Sequence, residues 1–163
     1  MTHRCAAPTW GGHPVRHTGG RSTRKVKAMG TRAIYTFEDA TDERHIFVHY
    51  DGYPTGAATY FKQWLDAGVT WTIPRFEADE AAAGFVAAIK TGAGNVRIAG
   101  ARFSYSDVEF GYRLFMRGDA LHVQCATTDY WGDAPAEHII FDGTMAEFLA
   151  TAPAIQTMAY DAA

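Results

Sequence analysis

The stretch RHIFVHYDGYPTGAATYFKQWL, residues 44 to 65, constrains the fold more than any other part of the chain. Its opening is rich in β-branched and aromatic residues, the composition that suits a pleated strand. Asp51-Gly52 breaks that strand. Pro54 then fits the first turn of a helix, where its fixed φ is already correct and its missing N–H would have no partner in any case. From Ala57 onward, Ala57, Phe61, Trp64 and Leu65 follow the i, i+4, i+7, i+8 stripe of a core-facing helix, and Gly68 supplies the stop. A strand that hands over to a helix through so short a bend must lay the apolar side of that helix beneath the sheet.

The flanking segments extend the pattern. TRAIYTFE (31 to 38) resembles the strand at 44 to 50, and the polar DATDE between them predicts a β-hairpin. VTWTIP (69 to 74) reads as short and extended. EADEAAAGFVAAIKTG (77 to 92) is a second helix, with acids in its first turn, Lys90 near its end and Gly92 after it, and with Ala82, Phe85, Val86 and Ile89 as its buried face. A short strand at 95 to 99 precedes VEFGYRLFM (108 to 116) and LHVQCATT (121 to 128), which flank RGDA as a second hairpin. EHIIF (137 to 141) is a last strand. TMAE (144 to 147) has the spacing of a capping box, and Met145, Phe148 and Leu149 supply the stripe of a final helix that Pro153 is expected to limit. The order ββααβββα, with hairpins in place of regular βαβ alternation, predicts an α+β domain: a mainly antiparallel sheet of about five strands with helices on one face.

With 47% hydrophobic and 13% aromatic residues, a chain of 163 residues has material for one ordinary core. Charge divides it further. Residues 1 to 28 hold six Lys and Arg and no acid, whereas the rest holds nine basic and eighteen acidic residues, so a +6 arm precedes a −9 body. The arm has Gly-Gly pairs and no hydrophobic period, and is expected to be a flexible extension. The predicted organisation is therefore an arm at 1 to 28, a single domain at 29 to 152 and a tail at 153 to 163. Strand-like patterning begins directly after Met29, which raises the expectation that the arm is a mis-annotated start; the alternative is a nucleic-acid-binding arm working through its clustered basic residues. No apolar run has the length of a membrane span or of a signal peptide, so a cytoplasmic location without membrane association is expected. Cys5 and Cys125 form no CxxC or Cys/His ligand pattern, and Cys125 reads as a small core residue. No cofactor is expected.

Chemical candidates are few. His45 and His49 would share one face of a strand roughly 13 Å apart, too far to hold one metal ion, and no metal site is assigned. His49, Asp51 and Tyr53 form the best polar constellation, a weak candidate for acid–base chemistry if His49 meets a carboxylate. Arg32 and Thr55 complete a weak anion-site reading at the start of the first helix. The competing reading makes the joint a structural corner, with Tyr53 packed as a lid. The glycine-rich TGAGNVRIAG (91 to 100) follows a helix and lacks Gly-Lys-Ser/Thr, which excludes a nucleotide-binding loop. Arg117-Gly118-Asp119 reads as a hairpin tip. Tyr130 and Trp131, in the loop TTDYWGDAP, are candidate partner-binding anchors, or aromatics folded back onto the sheet.

MGTRAIYTF, HYDGYPTGAATYF and IIFDGTMAEFL together resemble a group of small uncharacterised bacterial and phage-borne proteins that begin with a Gly-Thr-Arg strand and carry an Asp-Gly-Tyr-Pro turn. The resemblance covers roughly residues 29 to 150 and rests on Gly30, Thr31, Arg32, Asp51, Gly52, Tyr53 and Pro54. It implies a phage or mobile-element context and no defined activity. The expectation is a non-enzymatic binding protein with a protein partner. The alternatives are a small enzyme or anion-binding domain using Arg32, His49, Asp51 and Tyr53, and nucleic-acid binding through the arm.

Overall fold

A computed structural model describes residues 30–68, 76–105, 107–129 and 136–161. Its elements are β1 (Ala33–Glu38), β2 (Glu43–Val48), α1 (Pro54–Asp66), α2 (Ala78–Ile89), β3 (Val96–Ala99), β4 (Phe110–Arg117), β5 (Ala120–Asp129), β6 (Ala136–Thr144) and α3 (Met145–Asp161). The expected arm, the extended segment at 69 to 74 and the loop with Tyr130 and Trp131 lie outside the described residues.

The fold is α+β, with six strands in the order β3-β2-β1-β4-β5-β6. Four of the five neighbouring pairs are antiparallel, and β1 and β4 are parallel, with Ala33 opposite Phe110 and Phe37 opposite Leu114. The sheet is mainly antiparallel as expected, with six strands where about five were expected and one parallel pair at its centre. Both hairpins form as expected. Between β4 and β5, Gly118 takes φ 63°, which suits the first central position of a two-residue hairpin turn.

All three helices cover one face. α1 lies between α2 and α3, and its Phe61 and Trp64 drive into the sheet. Tyr35 stacks on Tyr112 at 4.9 Å between ring centroids and meets Phe61 edge-on at 5.6 Å, while Phe37 meets Trp64 edge-on at 5.4 Å. These offset and edge-on geometries suit the ring quadrupoles. Cys125 is fully buried in this core, and burial pushes its thiol up to about 12. On the opposite face Ile34, Phe47, Ala99 and Val108 form a smaller cluster with Tyr105, which stacks on Phe47 at 4.1 Å. The connection between β3 and β4 thus shields part of the second face.

One expectation is overturned. α3 does not stop at Pro153 but runs on to Asp161, so the described part of the segment read as a tail, residues 153–161, is helical. A proline inside a helix costs roughly 3 kcal/mol through its lost hydrogen bond and ring clash. Met145, Phe148, Ala152, Ile155 and Ala159 nevertheless continue one buried stripe across it, and burying a side chain such as that of Ile155 returns about 1.5–3 kcal/mol. Packing overrides the local signal.

Candidate functional site

The joint between β2 and α1 is a tightly built corner. Asp51 has φ 55°, the one positive value at a non-glycine residue among the described residues. Aspartate tolerates this left-handed region better than most residues. Gly52 follows because nothing larger fits: an added Cβ would sit 2.7 Å from the Ala33 Cβ and 2.8 Å from the Ala33 nitrogen. Its N–H donates to the Thr31 carbonyl at 2.9 Å, and the Tyr112 hydroxyl, rising from the centre of the sheet, donates to the Gly52 carbonyl at 2.8 Å. The GTR and DGYP stretches therefore meet in space. At Gly56 an added Cβ would fall 2.0 Å from the Asp51 carbonyl oxygen, so the first turn of α1 is seated directly on the bend.

Above the bend opens a cavity of about 250 Å³ lined by Asp51, Tyr53, Thr55, Gly56, Thr59 and Tyr60. The Tyr53 hydroxyl donates to Asp51 Oδ1 at 3.2 Å, and the Tyr60 hydroxyl donates to the Tyr50 carbonyl at 3.3 Å. Burial first, and then the Asp51 charge, raise the pKa of both phenols. They stay protonated donors across the neutral range.

The sequence-derived candidates do not all arrive here. Asp51 and Tyr53 do. Arg32 lies beside Asp107, with 3.0 Å between Nη1 and Oδ2, and its backbone carbonyl accepts from Glu109. His49 sets its ring edge-on to Tyr50 at 4.4 Å and to Phe47 at 6.0 Å. Thr55 lines the cavity, but its N–H and hydroxyl both donate to Gln156 Oε1, at 3.2 and 2.6 Å. Pro54 has no N–H, and the Ala57 amide donates to the Tyr53 carbonyl. The positive end of α1 is thus largely spent within the protein, and Arg32 and Thr55 are committed to different partners.

Sequence reasoning missed three participants. Tyr60 lies seven residues after Tyr53, two helical turns on, and that spacing was a usable signal. Gln156 gave none, because it sits beyond Pro153. The third is a chain across β1 and β2 that runs from the buried Thr36 and His45 out to the exposed Glu43: Thr36 Oγ1 lies 3.0 Å from His45 Nδ1, and His45 Nε2 lies 3.3 Å from Glu43 Oε1. An ionised Glu43 can only accept, so in neutral His45 Nε2 carries the proton and Nδ1 accepts from the Thr36 hydroxyl. This resembles a nucleophile relay, but Thr36 is fully buried beneath the ladder. Its role is to satisfy a buried imidazole. Among the described residues no group of three or more His, Cys, Asp or Glu could hold a metal ion, and no helix is long and apolar enough to cross a membrane. Comparison with protein-family models, curated proteins and solved structures finds no match to this chain.

Proposed function

We propose that the protein is a non-enzymatic binding protein whose acidic body engages a basic protein partner, and that in a phage or mobile-element setting this partner is a host protein. The observation that carries the reading is the divergence at the corner. Acid–base chemistry there would need His49 within reach of a carboxylate, and an anion site would need a free cation. His49 instead lies among Tyr50 and Phe47, and Arg32 lies beside Asp107. What remains at the cavity is a carboxylate and two protonated phenols, groups suited to holding a ligand. The −9 charge of residues 29 to 163 adds a long-range field that favours basic partners and speeds their encounter.

The test is affinity capture with the full chain from its native host, followed by reconstitution with the purified captured protein. The expected result is a stoichiometric complex with a basic protein that weakens steeply as salt rises. Turnover of a substrate by the wild-type chain, lost in both Asp51→Asn and Tyr53→Phe, would overturn the reading in favour of an enzyme.

A further inference from the structure

We infer that the corner cavity seats an ammonium or guanidinium group, with Asp51 as its counter-ion and the rings of Tyr53 and Tyr60 as its walls. This assignment rests on the reading of the protein as a binder of basic partners and names the group it would recognise. Three observations converge on it. The Asp51 carboxylate accepts from the Tyr53 hydroxyl, which leaves most of its lone-pair sites for a ligand donor, and among the described residues it forms no ion pair. The cavity walls combine that carboxylate with two aromatic rings, and the face of a tyrosine ring attracts a cation. The positive end of α1, which would otherwise favour an anion, is consumed by Gln156 and by the missing N–H of Pro54.

The seat is also preorganised. Gly52 and Gly56 allow contacts that no other residue permits, and Tyr112 and Thr31 hold Gly52 from below. Little ordering is left to be done on binding, the main route by which a small site gains affinity. A volume of about 250 Å³ admits the end of a lysine or arginine side chain or a small organic cation, and excludes a nucleotide.

The closing experiment is an amide NMR titration of the full chain with n-butylammonium and with ethylguanidinium, at ionic strength matched by sodium chloride, with neutral butyramide as the control. Saturable shifts centred on residues 51 to 60, absent with butyramide and weakened by roughly tenfold or more in Asp51→Asn, are expected. Asparagine also accepts the left-handed backbone at position 51, and an otherwise unchanged spectrum confirms that the variant folds. Asp119→Asn, at the tip of the β4–β5 hairpin, should bind as the wild type does. A second arm compares a free amine with an arginine- and lysine-containing peptide, so that a small-molecule source is distinguished from a protein one. Shifts that follow ionic strength alone, or survive unchanged in Asp51→Asn, overturn the assignment. A captured basic partner that binds Asp51→Asn as tightly as wild type would sink the cavity assignment and spare the broader function. Cation binding at the corner without any basic protein partner would do the reverse.

Discussion

Helices α1 and α3 begin in opposite ways. α3 begins with its own capping box: the Glu147 N–H donates to Thr144 Oγ1 at 3.2 Å, and Glu147 Oε2 accepts from the Thr144 N–H at 2.7 Å. α1 begins at Tyr53, whose side chain makes no capping bond, and depends on Gln156 from the far end of the chain. α2 follows the second pattern. Its N-cap Glu77 makes no side-chain cap, and Asp39 of the β1–β2 turn reaches across so that Oδ2 accepts from the Ala78 N–H at 2.9 Å. One helix can therefore start alone, whereas two can start only once the fold is assembled. The candidate site sits on one of the dependent two.

The strongest way to break the dependent start is at its seat. Gly56→Ala places a methyl on the Asp51 carbonyl, where backbone and not a flexible side chain must yield. A loss of about 3 kcal/mol or more is expected by chemical denaturation. Next comes Gln156→Ala, which strands the Thr55 N–H and hydroxyl and should cost about 1–2 kcal/mol, with the mobility of residues 51 to 60 rising in amide exchange. Thr144→Ala should cost about 1 kcal/mol. It should also lower the helicity of an isolated peptide spanning residues 141 to 161, where Gln156→Ala does nothing of the kind. The smallest effect is electrostatic. Asp39 is held at about 2, chiefly by accepting from the Ala78 and Thr41 amides, against an ordinary 3.8. Because the folded state lowers this pKa, its contribution is complete above about pH 4 and is lost as pH falls towards 2. Asp39→Asn should flatten that limb of the acid-unfolding curve followed by circular dichroism.

The same contrast explains what the sequence disclosed. Strands β1, β2, β4 and β5, the turn at Gly118, the proline start of α1 and the Thr144 box are all written in neighbouring residues, and each was legible. The parallel pairing of β1 with β4 was not, because neither strand carries a local mark of the other. Pro153 misled for a related reason: its cost is local, but the stripe through Ile155 and Ala159 that outweighs it is visible only against the assembled core. At the site, Asp51 and Tyr53 were legible as a turn and its lid. The departure of Arg32 to Asp107 was not, since the two meet only because β1 pairs with β4 and brings the starts of both strands together, whereas His49 leans on its own chain neighbour Tyr50, a local contact that the reading of the joint overlooked.

The β1–β4 seam carries a consequence for how the molecule comes into being. Each hairpin can zip from its own turn, but Ala33 finds Phe110 only after two strands and two helices have been laid between them, and closing so long a loop is the slow kind of event in folding. Tyr112 lies on the late-arriving side of that seam, so the brace beneath Gly52 arrives with it. Pulse-labelled hydrogen exchange should find the Gly52 amide protected no earlier than the β4 amides: the bend at Asp51 and Gly52 is finished only when the central seam closes.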